Sequence, residues 1–333
     1  MNSNSTRYDF SNPLNLVSSF LMAANGIFGV ICNLSILYIF ICVPTERSSF
    51  NLICVYRSIG NTIILVWGFM ATFIPIGLKE TSPFSNNYET VVILSCNNIY
   101  MIIQYSGMII ASNRFCAMFF PIMYHKLFNI KITCTFLSIV FLFKLADNIY
   151  YLVTFLRKFI RKITYFNPPL IPARDCYTLY SSFYLAWIPN MDPNCHSSQD
   201  IPNPFNNTAI LVVLLILMNI ATFSKIYFFY KSTEPEQREM KRKTKKNKTL
   251  FFQTLFQDGV MLIDMLFTFK LSQLSNERYW TFISGTFVWQ CVHSVDGFLM
   301  VMFNERLSFL KKRLFGIDEK SHTTIQVLTT VHH

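Results

Sequence analysis

Seven long apolar runs divide this sequence, and they constrain its fold more than any other feature. Each run is at least as long as the roughly 20 residues that a helix needs to cross the hydrocarbon core of a bilayer. Backbone polar groups in hydrocarbon must be paired within their own segment, so each run is expected to be an α-helix. The sequence therefore predicts an all-α integral membrane protein. Its spans one to seven are expected at residues 15–42, 50–78, 88–113, 131–156, 206–230, 250–271 and 280–303.

The composition agrees with lipid as the solvent. The chain is 52% hydrophobic and only 14% charged, whereas soluble domains carry about 25% charged residues. Phosphate-binding loops, zinc-protease motifs and serine-hydrolase motifs are absent from the sequence, and its histidines are scattered. We therefore expect a protein that is not an enzyme and that holds neither a cofactor nor a metal.

The distribution of Lys and Arg predicts the orientation. With the N-terminus outside, the inner segments carry about twice as many basic residues as the outer ones, as the positive-inside rule requires. The basic run "MKRKTKKNK" then lies in an inner segment, near anionic lipid, that is expected to extend spans five and six as solvated helix. It is either a determinant of orientation alone or also a contact for the G protein, and nucleic acid is not an expected partner. The predicted organisation is an outer N-terminus (1–14), a transmembrane domain (15–303), a long second outer loop (157–205), a basic third inner loop (231–249) and an inner tail (304–333).

Several stretches carry a family resemblance: "SFNLICVYRSIGN", "NRFCAMFFPIMY", "FFQDGVMLIDMLFTFKLS" and "TFISGTFVWQCVHSVDGFLMVMFNERL". They resemble the nematode serpentine chemoreceptors of class x, within the seven-transmembrane G-protein-coupled receptors, and the likeness covers all seven spans. The resemblance implies a rhodopsin-like bundle that binds a small chemical cue outside and activates a heterotrimeric G protein inside. It also implies a multi-pass protein of the plasma membrane in a chemosensory neuron, with the sensory cilium as one location.

The resemblance assigns coupling roles at the inner end. Arg114 resembles the arginine of the family's Asp-Arg-Tyr motif, with Asn113 and Phe115 in place of the acid and the tyrosine, and Pro121 follows in the second inner loop. In span seven, Asp296 stands nearest the polar position of the usual Asn-Pro-x-x-Tyr motif. Asn304 is expected to begin a short amphipathic eighth helix.

Asp258 in span six has two candidate partners. It lies about two turns from the inner end of its span, so it is a candidate to hold Arg114 in the resting state and replace the acid missing at Asn113. Pairing with Arg57 of span two is the alternative, and the sequence leaves both open. Asp264 lies six residues further along and faces a different direction.

The outer side has two predicted covalent features, a disulfide and a glycosylation site. Cys176 and Cys195 are the expected disulfide pair within the second outer loop, because both lie in a polar segment. A bridge from Cys96 to either is the alternative, although Cys96 lies about two turns closer to Arg114 than the family's bridging cysteine. Asn4, in "NST", is a glycosylation sequon.

Depth within the spans selects candidate ligand-pocket residues. These are Gln104 and Tyr105 of span three and Trp289, Gln290 and His293 of span seven. The abundance of aromatic and aliphatic residues suggests a small, largely apolar ligand. The alternative function is a ligand-gated channel or a small-solute transporter, because charges inside spans also suit an ion path. Against a transporter, the two halves of the chain show no internal repeat.

Overall fold

The computed structural model describes residues 13–44, 47–79, 82–164, 178–189, 204–232 and 238–304. Within these ranges it contains seven long helical segments, one for each predicted span, so the prediction of an all-α bundle is confirmed. The helices keep the span names used above. They are Pro13–Cys42, Ser49–Gly77, Asn86–Phe119, Ile130–Thr164, Pro204–Ser232, Arg238–Phe269 and Arg278–Phe303.

Four of these helices are long and apolar enough to cross a membrane by length and composition. They are Pro13–Cys42, Ser49–Gly77, Tyr88–Phe119 and Arg278–Phe303, and span five contains the shorter apolar stretch Ile210–Lys225. The burial pattern points the same way, since Phe20 is 70% exposed on the outside of the bundle while Arg57 is 1% exposed inside it. Apolar side chains outside and a polar interior suit a protein whose solvent is lipid.

Span four is longer than predicted, whereas span six has a helical extension of the kind predicted for the basic inner stretch. Span four continues to Thr164 and includes the basic stretch "RKFIRK", which had been placed in the second outer loop. Span six begins at Arg238, so the basic run 240–248 belongs to its helix. Lys, Arg and Glu favour helix, so a charged extension of an apolar helix need not unwind where it leaves the membrane.

Span two changes its helical geometry before Pro75. Ser49–Ile63 is α-helical, Ile64–Phe73 is a π-helix, and Ile74–Gly77 returns to α. Proline lacks an N–H and crowds the preceding turn, so a local change of hydrogen-bond register is expected ahead of it. Within the π segment, Phe69 lies 5.0 Å from Trp289 between ring centroids. The wider turn thus brings aromatic rings of span two against span seven.

A β-hairpin covers one end of the bundle. Strand β1 (Thr178–Ser181) pairs antiparallel with strand β2 (Ala186–Pro189). Leu185, in the turn, has a positive φ of 52° and a fully buried side chain. Tyr180 stacks on Phe73 of span two, with ring centroids 4.5 Å apart and planes 5° from parallel. We call this the hairpin end, and we call the opposite end, where span three finishes, the Arg114 end.

The hairpin is anchored to the starts of spans one, three and seven. A buried carboxylate oxygen of Glu89 accepts a hydrogen bond from the backbone N–H of Tyr180 at 3.1 Å. Arg278 donates to the backbone carbonyls of Phe183 and Ser182 and, at 2.5 Å, to the side-chain oxygen of Asn15. Span one therefore begins at the hairpin end, and the odd number of helices brings span seven to its finish at the Arg114 end.

Candidate functional site

The most prominent polar feature of the interior is an ion pair between spans two and seven. Arg57 donates from Nη2 to Asp296 Oδ1 at 2.7 Å and from Nε to Asp296 Oδ2 at 3.2 Å, and both side chains are buried. Asp296 also accepts from Asn61 and from Gln257 of span six, each at 2.7 Å. A charge in a low-dielectric interior is tolerated only with such partners. The carboxylate of Asp296 therefore ties together spans two, six and seven.

Amide and imidazole groups extend this pair toward spans one and seven. The Asn61 side chain donates to Asn33 of span one at 3.3 Å, and its oxygen lies 2.8 Å from His293 Nδ1. Asn33 in turn donates to the backbone carbonyl of His293 at 3.2 Å. We call Asn33, Arg57, Asn61, Gln257, His293 and Asp296 the central network.

Glycines give the central network its room. A Cβ placed on Gly297 would lie 2.5–2.8 Å from three side-chain atoms of Asn33, closer than atoms in contact approach one another. One placed on Gly107 of span three would lie 3.2 Å from Arg57 Nη1. These two positions have no side chain because their neighbours' polar groups fill the space.

At the Arg114 end of the bundle, the guanidinium of Arg114 has, among the described residues, no carboxylate partner of the kind that Arg57 has. Its Nη1 donates to the Thr254 hydroxyl of span six at 2.5 Å, and its guanidinium lies 5.2 Å from the ring centroid of Phe50. Its Nε and Nη2 atoms are buried and make no hydrogen bond to the described residues. The Arg114 guanidinium is thus held by a neutral hydroxyl and an aromatic face, and two of its nitrogens can still donate hydrogen bonds to another partner.

The structure corrects both predicted pairings of Asp258. Its carboxylate accepts from the Asn219 amide of span five at 2.5 Å, while Arg114 bonds to Thr254 and Arg57 to Asp296. Thr254 lies one turn before Asp258 on the same face of span six, so the physical reason is depth along the helix: the Thr254 hydroxyl is the group level with Arg114. Asp264 does face a different neighbour, as expected, since Tyr100 of span three donates to it at 2.6 Å.

The remaining coupling candidates lie around Arg114. Asn113 is buried, and its side-chain oxygen is 3.5 Å from the Tyr124 hydroxyl of the short helix Pro121–Leu127, which Pro121 begins. Phe115 stacks on Phe119 with ring centroids 4.4 Å apart. Asn304 is the last described residue and caps span seven, so the predicted eighth helix lies outside the described residues.

The five predicted pocket residues do not form one group. Trp289 and His293 pack together, with ring centroids 6.0 Å apart, near the central network. Gln290 turns toward span one and donates to the Met22 carbonyl at 2.7 Å. Tyr105 faces span four, where its ring lies 5.9 Å from Lys144 Nζ. Gln104 is 2% exposed, and neither amide atom has a hydrogen-bond partner among the described residues.

Several outer-side predictions fall beyond what the structure describes. Asn4, Cys176 and Cys195 lie outside the described residues. Cys96 is a free, buried thiol against Gly68, so the alternative bridge from Cys96 is not formed. Glu89 lies about two turns before Cys96, at the depth expected of the family's bridging cysteine, and it holds the hairpin by a hydrogen bond. Burial raises the pKa of the Tyr180 phenol in the hairpin above its ordinary value, so this ring is neutral at physiological pH.

Sequence reasoning missed the partners that build the site. Arg57 and Asp296 were both visible as charges inside spans, and opposite charges inside a membrane are expected to pair. The acidic partner that the sequence suggested for Arg57 was Asp258, however, and the pairing with Asp296 was not predicted. Nothing in the sequence marked Thr254, Gln257 or Tyr100 as a site residue, because single hydroxyl or amide side chains are common in apolar helices.

The comparisons with known proteins agree with this architecture. Residues 24–304 match the family described as serpentine type 7TM GPCR chemoreceptor Srx. The chain is also similar to "Serpentine receptor class X 45" of Caenorhabditis elegans, with 21% identity over 309 residues that cover 87% of this chain and 79% of that protein. Members of this family are receptors and not enzymes. With seven long helices among its described residues, and with the family match extending over most of its length, the chain belongs to the Srx family of serpentine seven-transmembrane chemoreceptors.

Proposed function

We propose that the protein binds a small external ligand near the hairpin end and activates a heterotrimeric G protein at the Arg114 end. The observation that carries this proposal is the state of Arg114. Its guanidinium is buried, bonded to a neutral hydroxyl, and left with two donor nitrogens that make no hydrogen bond to the described residues. A partner that offers carbonyl or carboxylate oxygens gains strong hydrogen bonds from such a group.

Span six connects the two ends. Thr254, which holds Arg114, and Gln257, which holds Asp296, lie three residues apart on that helix. An outward shift of span six would break both hydrogen bonds together. Such a shift gives two discrete states, one with Arg114 restrained and one with Arg114 free to meet a partner. A ligand activates the receptor by binding the second state more tightly than the first.

The Lys and Arg distribution supports a definite orientation. We place the N-terminus outside the cell, the hairpin end toward the outside and the Arg114 end in the cytoplasm of a sensory cell, with the protein in the plasma membrane. Epitope tags at both termini, probed in intact and permeabilised cells, test this placement. It requires the N-terminal tag alone to be accessible in intact cells.

A channel or transporter is the rival function, and the structure favours it less. An ion path needs charges that face water, whereas Arg57 and Asp296 satisfy each other in the packed interior. The discriminating experiment expresses the chain in a heterologous cell and records its response to mixed chemical cues. A receptor's response disappears when G-protein signalling is blocked. A current that persists under the block would support the channel instead.

A further inference from the structure

Four polar side chains of spans three, six and seven meet beneath the hairpin. Tyr100 is their common neighbour: its hydroxyl donates to Asp264 at 2.6 Å, and its ring centroid lies 5.8 Å from that of His293. Gln104 follows Tyr100 by four residues, so the two lie on the same face of span three. These residues, Tyr100, Gln104, Asp264 and His293, we call the polar cluster.

The polar cluster is buried but incompletely bonded. Asp264, Gln104 and His293 are 4%, 2% and 0% exposed. Among the described residues, Asp264 Oδ1, His293 Nε2 and both amide atoms of Gln104 have no hydrogen-bond partner. Leaving such groups unpaired costs about 1–3 kcal/mol each, so structures usually satisfy them. A ligand that offers hydrogen-bond donors and acceptors to these atoms would remove that cost.

The charge balance of the cluster indicates which ligand it recognises. The ion pair between Arg57 and Asp296 is the salt bridge found among the described residues, and no described Lys or Arg pairs with Asp264. Buried carboxylates are normally compensated by a cation. Tyr100 supplies one hydrogen bond to Asp264 but no positive charge.

An aromatic layer lies between this cluster and the hairpin. Trp289 contacts both His293 of the cluster and Phe73, whose ring stacks on Tyr180 of the hairpin. These rings present apolar surface and electron-rich faces, which attract organic cations as well as alkyl and aryl groups.

We propose that the polar cluster binds a small protonated amine that carries an apolar group. The ammonium donates to Asp264 Oδ1 and to the Gln104 side-chain oxygen, while the apolar group packs on Trp289 and the rings around it. This inference rests on the proposed function, in which the ligand binds near the hairpin end. It adds a charged group to the small, largely apolar ligand that the sequence suggests.

The same cluster connects the ligand to the central network. His293 offers Nε2 to the cluster, while its Nδ1 lies 2.8 Å from Asn61, which bonds to Asp296. A ligand that binds His293 Nε2 therefore contacts an imidazole ring whose other nitrogen is bonded to the central network. Span six is linked directly as well, because it carries both Asp264 and Gln257.

Matched pairs of compounds test the proposal on the full-length receptor in lipid nanodiscs. Hexylamine and 2-phenylethylamine are compared with hexanol and 2-phenylethanol, which have nearly the same apolar groups but no charge. Binding is measured as the concentration-dependent rise in melting temperature, because a ligand that binds the folded state stabilises it. We expect the amines to stabilise the wild-type receptor at concentrations at least tenfold lower than the alcohols.

Variants locate the effect. Asp264→Asn should weaken the response to amines at least tenfold, and Gln104→Leu should weaken it by a smaller factor. Asp258→Asn is the matched control: it removes a carboxylate from the same helix, but one that bonds to Asn219, and it should retain the wild-type response to amines. If Asp264→Asn fails to fold, Tyr100→Phe and Gln104→Leu carry the test.

The proposal is overturned if the amines stabilise no better than the alcohols, or if the preference for amines survives Asp264→Asn or, where that variant does not fold, is undiminished in both substitutes. The readout contains no G protein, so it is independent of the proposed signalling. Amine binding without nucleotide exchange would support this site and contradict the proposed function. Nucleotide exchange without a preference for amines would support the proposed function and contradict this site.

Discussion

Asp296 is the residue whose substitution removes the largest number of buried hydrogen bonds in the central network. Its two oxygens accept four hydrogen bonds, from Arg57 twice, from Asn61 and from Gln257. An ionised carboxylate offers about four acceptor sites, so the group is saturated. Asp296→Asn keeps the volume but removes the charge and turns one acceptor into a donor. We expect it to lower the free energy of unfolding by about 3 kcal/mol, because it leaves Arg57 buried without a counter-charge.

Thermal unfolding of the purified receptor measures this loss. The double variant Arg57→Gln with Asp296→Asn should recover more than half of it, because two neutral amides can bond to each other. A single variant as stable as the wild type would show that Arg57 does not depend on Asp296.

Thr254 is the hydrogen-bond partner of Arg114. Thr254→Val removes the hydroxyl that accepts from Arg114 Nη1 and keeps the shape of the side chain. We expect basal signalling in a heterologous cell to rise several-fold at equal surface expression, since the restrained state loses about 1–3 kcal/mol of hydrogen bonding to a charged group.

Thr222→Val is the control for that measurement. Thr222 is buried in span five, and its hydroxyl donates to the Met218 carbonyl of its own helix. The same substitution there should leave basal signalling at the wild-type level. Equal basal signalling in both variants and the wild type would remove Thr254 from the mechanism.

At the scale of elements, spans one and seven pack closely because glycines lie between them. A Cβ on Gly297 meets Asn33 at 2.5–2.8 Å, whereas a Cβ on Gly259 of span six meets nothing within 4 Å. Gly297→Ala should therefore destabilise the receptor by about 1–3 kcal/mol through overpacking. Gly259→Ala should stabilise it by up to about 1 kcal/mol, because alanine favours the helix interior. Thermal melting of the two variants should shift in opposite directions, and a matching fall in both would contradict this packing.

The hairpin depends on Arg278 for its position over the bundle. Arg278 donates to two carbonyls of the hairpin turn, and its guanidinium lies 5.1 Å from the Phe183 ring centroid. Arg278→Ala should increase amide hydrogen exchange in residues 181–186 by about tenfold, which corresponds to about 1.4 kcal/mol of local stability. Arg47→Ala removes similar bonds to the Phe40 and Ile41 carbonyls at the Arg114 end, and it should leave that exchange unchanged.

For the whole molecule, the sequence predicted the number and the order of the helices. Lipid requires each apolar run to satisfy its own backbone, and that requirement is local to the run. It did not predict that span four reaches Thr164, because Lys and Arg at the end of an apolar run need not end a helix.

The side-chain pairings were beyond the sequence for a different reason. Asp258 was the candidate partner of Arg57, whereas the structure pairs Arg57 with Asp296. Which pair forms depends on how neighbouring helices rotate about their axes. A rotation of one residue is about 100°, which the apolar pattern of a lipid-facing helix does not fix. Gly107 and Gly297 lie where their helices turn toward the side chains of Arg57 and Asn33, but this role is evident only once those neighbours are known.

Signalling by this bundle to a G protein through Arg114 can be measured without a cell. The assay is guanine-nucleotide exchange on purified heterotrimers of the Gs, Gi/o and Gq classes, with the receptor in nanodiscs. We predict that Thr254→Val accelerates exchange above the wild-type rate for at least one class and that adding Arg114→Ala to this variant abolishes the acceleration. Exchange at the rate of empty nanodiscs for every class, or acceleration that survives Arg114→Ala, would contradict the account.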